Sequence, residues 1–189
     1  YLCCLPNFIV MAPSSGEELK NMINLALSIN NRPSAIRYPR DLAHEYKNND
    51  KFQKIIIGKG KVIKNGKKIA FLNLGTRLKK VLEISELIKK NYKLDCSIID
   101  MRFAKPIDVK LIQKLRKNHN IFVTIEENAI GGFSSQVNDF LINKLNDTPI
   151  ILNFFMKDEF IDQSDIDDQY SKSGISPKII YEKLIKILK

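Results

Sequence analysis

The chain has few of the side chains that catalyse reactions or hold metals. Its 189 residues include three cysteines, two histidines and no tryptophan. Cys3 and Cys4 are neighbours, Cys96 stands alone, and no pair has metal-ligand spacing, which excludes a zinc motif and a disulfide framework. We expect His44 and His119 to lie at the surface. With no Ser-His-Asp order, H-E-x-x-H helix or Walker loop, the sequence predicts no catalytic and no metal-binding residue, and a reducing compartment.

Long apolar runs are also missing. No stretch approaches the roughly 20 residues that a helix needs to cross a bilayer, so we expect no membrane association. Residues 2–11 are apolar without a basic region or a small-residue cleavage site, and the chain opens at Tyr1. We therefore expect it to begin within a longer protein.

The net charge is +10, which would suit a nucleic acid or an acidic partner. The lysines are spread along the chain, however, and only six of the 31 basic residues are arginine. No basic run is interleaved with aromatic side chains in the way that a groove for single strands requires. The sequence therefore predicts a compositional bias and no nucleic-acid partner.

The first quarter of the chain has a strand-helix-strand pattern. Residues 8–13 form an apolar strand, a helix capped by Ser14 or Ser15 follows, and residues 34–39 form the next strand. This order predicts a parallel pair of strands with a right-handed crossover. Residues 41–54 are polar without periodicity, which is typical of a linker.

Four further strand-helix repeats follow the linker. The strands are predicted over 68–75, 94–101, 121–126 and 149–155, and the helices over 77–91, 107–118, 134–145 and 177–188. Residues 55–63 are expected to form a hairpin with the next strand through an Asn65-Gly66 turn, and residues 158–168 to form an acidic loop. The near-continuous apolar strands favour helices on both sheet faces. The fold class is therefore α/β: a three-layer αβα domain with a mostly parallel sheet, preceded by a β-α-β fragment of another domain.

Two arginines end the strand Ala35-Ile36-Arg37-Tyr38-Pro39-Arg40. A guanidinium is always charged and presents a planar fork of donors that suits phosphate and carboxylate. The carboxyl end of a strand is where α/β sheets bind ligands. Arg37 and Arg40 are therefore candidate anion-binding residues, and surface ion pairs are the alternative.

Three other motifs follow predicted strands. Asp100 and Arg102 would lie near a bound ligand or form an internal ion pair. Glu126 and Glu127 would point to opposite faces, which argues against a shared acid-base pair. The Gly131-Gly132 pair before a helix would admit an anion to the amides of the helix or allow close packing.

Taken together, these motifs resemble the C-terminal part of the 1-deoxy-D-xylulose-5-phosphate synthase family, thiamine-diphosphate enzymes of the transketolase superfamily. The resemblance covers nearly the whole chain, in the right order. The matching segments are Tyr1-Leu2 through Pro6, Val10-Met11-Ala12-Pro13-Ser14, Ser34-Ala35-Ile36-Arg37-Tyr38-Pro39-Arg40, Ile57-Gly58-Lys59-Gly60, Leu72-Asn73-Leu74-Gly75-Thr76, Asp100-Met101-Arg102-Phe103-Ala104-Lys105-Pro106-Ile107-Asp108 and Val123-Thr124-Ile125-Glu126-Glu127-Asn128-Ala129-Ile130-Gly131-Gly132-Phe133.

The resemblance implies an enzyme that condenses pyruvate with D-glyceraldehyde 3-phosphate, releasing carbon dioxide, to start isoprenoid precursor synthesis. Residues 1–53 would be the tail of the pyrimidine-binding domain with a linker, and residues 54–189 the transketolase C-terminal domain. The residues that hold thiamine diphosphate and Mg²⁺, and the active-site histidines, would lie upstream, so no cofactor-binding residue is expected here. The fragment itself is predicted to be inactive, and the full-length enzyme to be a homodimer.

The resemblance carries one pair of site residues onto this chain. Arg37 matches the arginine that grips the phosphate of the acceptor aldehyde, and Arg40 is a second candidate. Asp41 stands where the family usually has glycine, which would draw Arg40 into an ion pair. Ser134 also replaces a usual glycine and is expected to cap the following helix.

Two alternative functions remain open. The β subunit of a 2-oxo-acid dehydrogenase shares the C-terminal domain, but it typically lacks the Arg-Tyr-Pro-Arg motif because its acceptor carries no phosphate. A stand-alone dimerisation or binding module is the other alternative. The compartment implied is the bacterial cytoplasm or the stroma of a plastid, apicoplast or chloroplast, and the spacing over residues 129–133 resembles plastid-type members.

Overall fold

A computed structural model of the chain describes residues 1–40, 53–145 and 147–188. The strands are β1 (Ile9–Met11), β2 (Ser34–Ile36), β3 (Lys61–Lys64), β4 (Lys68–Asn73), β5 (Ser97–Asp100), β6 (Phe103–Lys105), β7 (His119–Ile125) and β8 (Ile150–Phe154). The helices are α1 (Gly16–Ser28), α2 (Leu78–Tyr92), α3 (Val109–Arg116), α4 (Phe133–Asn143), α5 (Ile166–Lys172) and α6 (Pro177–Leu188). Most of the predicted linker, and His44 with it, lies outside the described residues.

The larger sheet has the strand order β3-β5-β4-β7-β8, in which β3 is antiparallel to β5 and every other neighbouring pair is parallel. The central strand β4 shows why helices cover both faces of the sheet. Ile69 and Phe71 pack with side chains of α2 and α6, whereas Ala70 and Leu72 pack with side chains of α3 and α4 on the opposite face. This alternation of fully buried apolar residues confirms the predicted three-layer α/β fold.

The edge position of β3 shows that one prediction was wrong. The expected hairpin does not form, because β3 pairs with β5 and β5 lies between β3 and β4. The Gly66 amide donates to Ser97 Oγ at 2.9 Å, and a Cβ on Gly66 would lie 2.2 Å from the Asp95 carbonyl oxygen. Gly66 is therefore a point of close approach against the chain that enters β5. A strand that begins and ends with lysine suits an edge, whereas the apolar β4 suits the interior.

A smaller sheet has the order β2-β1-β6. The parallel pair of β1 and β2 around α1 confirms the predicted β-α-β unit, and Ser15 caps α1 by accepting a hydrogen bond from the Glu18 amide at 3.2 Å. The strand β6 was not predicted, and it pairs antiparallel with β1. Its Phe103 packs with Ile9, Met11 and Met22, so the first segment and the rest of the chain share a core.

Two further features differ from expectation. The acidic segment 158–168 leads into the helix α5, which Asp165 caps by accepting a hydrogen bond from the Asp168 amide at 2.9 Å. His119 is buried at the start of β7, and its ring contacts the Leu115 carbonyl oxygen and Ser97 Oγ. Among the described helices, none has the length and hydropathy required to cross a membrane.

Candidate anion-binding site

The carboxyl ends of β1, β2, β4 and β7 surround a cavity of about 240 Å³. Its walls are mostly apolar, and three charged side chains also line it. The apolar side chains are Leu2, Val10, Met11, Ala12, Leu74, Ala104 and Phe133, and the charged ones are Arg37, Glu126 and Glu127. The predicted position of Arg37 at the ligand-binding end of a strand agrees with this geometry.

Arg37 follows the last residue of β2, and its amide donates to the Met11 carbonyl oxygen at 2.8 Å. Its guanidinium is held by one residue across the boundary between the two sheets. Nη1 donates to Glu127 Oε2 at 3.3 Å, and Nη2 donates to the Glu127 carbonyl oxygen. The Arg37 side chain remains 48% exposed although the Glu127 side chain is only 4% exposed. The guanidinium is thus fixed on one side and open to a ligand on the other.

Glu127 collects donors from three different elements. Its Oε1 accepts hydrogen bonds from the hydroxyls of Thr76 and Tyr170, each at 2.5 Å. Thr76 precedes α2, and Tyr170 lies on α5, where its ring contacts the Arg77 guanidinium at 3.7 Å from the ring centroid. Burial raises the pKa of Tyr170, and the bond to Glu127 raises it further. The hydroxyl therefore stays protonated and donates at neutral pH.

Glu126 points to a different place. Its carboxylate accepts hydrogen bonds from the amides of Phe133 at 2.9 Å and Ser134 at 2.7 Å, so it caps α4 from the end of β7. The two neighbouring glutamates thus have separate hydrogen-bond partners. The amides that the glycine pair would offer to an anion are already occupied. A Cβ on Gly132 would lie within contact distance of Glu126 Oε2 and Asn128 Nδ2, so a larger residue would push these side chains away from the cap.

The prediction that Ser134 caps α4 was wrong. Ser134 lies inside the helix, whose N-cap is Gly132, and no side chain at the cap position accepts a hydrogen bond. Glu126 caps the helix instead, although it lies seven residues before Phe133 and eight before Ser134, whose amides it binds. A carboxylate can reach these amides from the neighbouring strand because the glycine at the cap leaves space for it.

Asp100 and Arg102 lie in a buried network away from the cavity. Arg102 Nη2 contacts Glu18 Oε1 at 2.6 Å, so the internal ion pair joins Arg102 to α1 and not to Asp100. Asp100 Oδ2 accepts a hydrogen bond from Ser14 Oγ at 2.5 Å, and Asp100 Oδ1 accepts one from the Arg102 amide at 3.1 Å. Burial raises the pKa of Asp100 to about 6 against the lowering effect of the Ser14 bond.

Arg40, the second predicted phosphate ligand, is exposed, and none of the described side chains pairs with it. Asp41, the expected partner of Arg40, lies outside the described residues. The geometry therefore brings Arg37 into the cavity and does not bring Arg40 there, since Arg40 is not among the lining residues.

Sequence reasoning missed the side chains that surround Glu127, the partner of Arg37. Thr76 lies at the carboxyl end of β4, and a parallel sheet brings that position close to the end of β7. This position was the feature of the sequence that could have predicted a contact between Thr76 and Glu127. Tyr170 and Arg77 gave no signal, because Tyr170 lies on a short polar helix and Arg77 begins an ordinary amphipathic one.

Comparisons with known proteins agree with this architecture. The family description "Transketolase, C-terminal domain" matches residues 58–180. The chain is 35% identical over 192 residues to the probable 1-deoxy-D-xylulose-5-phosphate synthase 2, chloroplastic, of Oryza sativa subsp. japonica. It is 36% identical over 196 residues to the 1-deoxy-D-xylulose-5-phosphate synthase 1, chloroplastic, of Cannabis sativa. Each match covers 100% of this chain and 27% of the relative, so the chain spans about a quarter of their length.

Solved structures give the same result for the fold. The chain is similar to a split-gene transketolase described as an inactive β4 tetramer, with a TM-score of 0.85 and 25% identity over 98% of this chain and 58% of that one. A transketolase mutant from Pichia stipitis has a TM-score of 0.69 at 11% identity, over 97% of this chain and 25% of that one, which concerns the fold alone. The chain therefore belongs to the transketolase C-terminal domain family, and its curated relatives are transketolase-type synthases.

Proposed function

We propose that this chain is part of a thiamine-diphosphate-dependent synthase that condenses pyruvate with D-glyceraldehyde 3-phosphate to 1-deoxy-D-xylulose 5-phosphate, releasing carbon dioxide. The observation that carries the proposal is the 35–36% identity over the whole chain to two proteins of that name. These relatives favour the synthase over the β subunit of a 2-oxo-acid dehydrogenase. Their chloroplastic descriptions favour the plastid stroma as the compartment, and we extend the proposal to a homodimeric full-length enzyme.

Within that enzyme, residues 1–53 would be the end of the pyrimidine-binding domain with its linker, and residues 54–189 the C-terminal domain. The family match over residues 58–180 supports the second boundary. The β-α-β unit of β1, α1 and β2 supports the first, although β6 of the second part joins the same sheet. Under this division, Arg37 belongs to the first domain and Glu127 to the second.

The role of this chain in the reaction is to bind and orient the acceptor substrate. Arg37 offers a charged donor fork at the rim of an apolar cavity, and its side chain is half exposed. Binding the phosphate there would hold the non-reacting end of the aldehyde, so that binding energy orients its carbonyl group. Arg40 is exposed and does not line the cavity, so the proposal keeps it as a second phosphate ligand only from outside the lining.

The metal that accompanies the cofactor does not fit the residues described. Thiamine diphosphate supplies the stabilised carbanion in such enzymes, and a Mg²⁺ ion at its diphosphate needs several oxygen ligands. Across residues 1–40, 53–145 and 147–188, no group of three His, Cys, Asp or Glu side chains could hold a metal ion. The proposal therefore places the metal ligands outside these residues.

The test is the Arg37→Ala variant of the full-length synthase. Because a charge-assisted hydrogen bond contributes about 1.5–3 kcal/mol, we expect the KM for D-glyceraldehyde 3-phosphate to rise about 10- to 100-fold. The KM for pyruvate should change little. Arg32→Ala is the matched control, because Arg32 is exposed on the same segment and its side chain bonds only its neighbour Asn31 among the described residues.

Equal effects of Arg37→Ala on both substrates would assign Arg37 a structural role. A separate measurement concerns the isolated 189 residues, which should show no synthase turnover. Detectable turnover would contradict the proposal that bond making depends on residues outside this chain.

A further inference from the structure

The orientation of Arg37 has an identifiable cause. A half-exposed arginine has many rotamers, and ordering it on binding costs affinity unless the protein orders it beforehand. Here two terminal nitrogens of the guanidinium bind two acceptors of one residue, the side chain and the carbonyl group of Glu127. A two-point contact fixes the plane of the guanidinium. Since the group has five N–H donors, most of them remain available for a phosphate.

Glu127 is itself held in place from the C-terminal side. Its carboxylate is almost fully buried, and its second oxygen accepts the hydroxyls of Thr76 and Tyr170. These hydroxyls come from the start of α2 and from α5, so two elements determine where the carboxylate lies. A buried carboxylate with three donors has little freedom to move.

The Tyr170 ring is positioned in turn by Arg77. The Arg77 guanidinium lies over the ring, and Arg77 is 5% exposed with no hydrogen-bond partner for its Nε or Nη2 within the described part of the chain. Arg77 therefore contacts Tyr170 through the face of the ring, as a cation–π pair. The positive charge of Arg77 behind the Tyr170 ring offsets part of the negative charge that Glu126 and Glu127 bring to the cavity wall, which makes an anion at Arg37 less unfavourable.

We propose that Glu127 is a positioning residue for substrate phosphate, and that Thr76 and Tyr170 hold it in the geometry that presents Arg37 to the cavity. The inference rests on the proposed function of Arg37 and extends it across the domain boundary. Glu127, from the C-terminal domain, would then set the affinity for the phosphorylated acceptor without binding the phosphate itself.

The test uses the full-length synthase with two hydroxyl deletions. Tyr170→Phe keeps the ring and its stacking on Arg77 but removes the donor to Glu127. Thr76→Val removes the other donor at constant volume, and Thr76→Ser restores it. We expect the KM for D-glyceraldehyde 3-phosphate to rise about 3- to 10-fold in Tyr170→Phe and in Thr76→Val, with little change in the KM for pyruvate. Thr76→Ser should regain most of the lost affinity.

Tyr181→Phe is the matched control. Tyr181 lies on α6, and its hydroxyl accepts a hydrogen bond from Asn91 Nδ2 at 2.7 Å at the surface, away from the cavity. This variant should keep both KM values, whereas a loss of affinity in it equal to that of Tyr170→Phe would overturn the positioning role.

A double variant separates this inference from the proposed function. In the Arg37→Ala background, Tyr170→Phe should produce no further rise in the KM for the phosphorylated aldehyde, because the group it positions is gone. Additive effects of the two substitutions would overturn the positioning role. If Arg37→Ala raises that KM and neither hydroxyl deletion does, the positioning role alone fails. If Arg37→Ala affects both substrates equally, the phosphate-binding role of Arg37 fails first.

Discussion

Two arginine-glutamate pairs join the first segment of the chain to the rest, and they differ in their contact with solvent. Arg37 of the first segment binds Glu127, and its side chain is 48% exposed. Arg102 binds Glu18 of the first segment, and the two side chains are 11% and 7% exposed. The chemistry of the two pairs is the same. The comparison shows that exposure decides whether an arginine remains available to a ligand or serves only the fold.

The surroundings explain the difference. Arg102 has a φ of 60°, which turns the chain from β5 into β6 and directs its side chain toward α1. Its amide and the nearby Ser14 hydroxyl both bind Asp100, so the Arg102 guanidinium lies inside the protein with little access to solvent. Arg37 instead ends an edge strand beside a cavity and has polar partners on one side only.

The largest effect on stability is expected for Arg102→Ala. Removal of the guanidinium leaves the buried Glu18 carboxylate with Lys61, at 3.5 Å, as its remaining ion-pair partner among the described residues. Breaking a buried pair from one side costs about 3–5 kcal/mol in the free energy of unfolding, which urea denaturation of the chain would measure. The paired replacement Arg102→Met with Glu18→Leu should cost less than the single change. A single variant within about 0.5 kcal/mol of wild type would refute the structural role of this pair.

Asp100→Asn should change how stability depends on pH. Burial holds the pKa of Asp100 at about 6, above the ordinary value of 3.8. The folded chain therefore keeps this proton between pH 4 and 6 when the unfolded chain has released it, and the contribution of Asp100 to stability falls as the pH rises through that window. Relative to wild type, Asp100→Asn should gain up to about 3 kcal/mol between pH 4 and pH 7.

Urea denaturation of both chains at several pH values measures this gain. Asp139→Asn is a suitable control, because Asp139 lies on α4 and bonds the side chain of Asn143 at the surface. If the free energy of unfolding of the two chains depends on pH in the same way, Asp100 has an ordinary pKa and the account is contradicted.

A smaller effect is expected for Asp165→Ala, which removes the N-cap of the helix that carries Tyr170. Loss of such a cap costs about 1 kcal/mol. Amide hydrogen exchange should become faster within α5, and the KM for the phosphorylated aldehyde should rise slightly because Tyr170 is held less firmly. Exchange rates in α2 serve as the internal reference. Unchanged exchange in α5 would show that the cap contributes nothing to the Arg37 site.

The smallest effect on stability is expected for Arg37→Ala. Arg37 is half exposed, and the buried Glu127 carboxylate keeps the hydroxyls of Thr76 and Tyr170 when the guanidinium is removed. The free energy of unfolding should therefore fall by only about 1 kcal/mol, even though substrate affinity falls strongly. Urea denaturation beside the Arg102→Ala variant makes the comparison direct. A loss as large as that of Arg102→Ala would erase the distinction between the two pairs.

Much of the fold follows from local patterns in the sequence. The apolar runs of β4 and β7 and the amphipathic faces of α2, α4 and α6 predict a covered parallel sheet, and Ser15 marks the start of α1. The errors arise where distant segments decide. The strand β3 pairs with β5 instead of with its sequence neighbour β4. The strand β6 forms because it pairs with the free edge of β1. The helix α5 has no helical repeat of apolar residues that would predict it.

Of the candidate site, the sequence predicts Arg37 but not the role of Glu127. Arg37 belongs to a recognisable motif at the end of a strand, whereas Glu127 gains its role from partners 51 and 43 residues away, Thr76 and Tyr170. No local pattern encodes such a cluster, because it exists only when the ends of β4 and β7 and the helix α5 come together.

The most direct test of phosphate binding by Arg37 compares two acceptors in the full-length synthase. D-glyceraldehyde lacks the phosphate of D-glyceraldehyde 3-phosphate but has the same reacting carbonyl group. We predict that Arg37→Ala lowers kcat/KM for the phosphorylated aldehyde about 10- to 100-fold and leaves kcat/KM for D-glyceraldehyde within about twofold. An equal loss with both aldehydes would contradict the account.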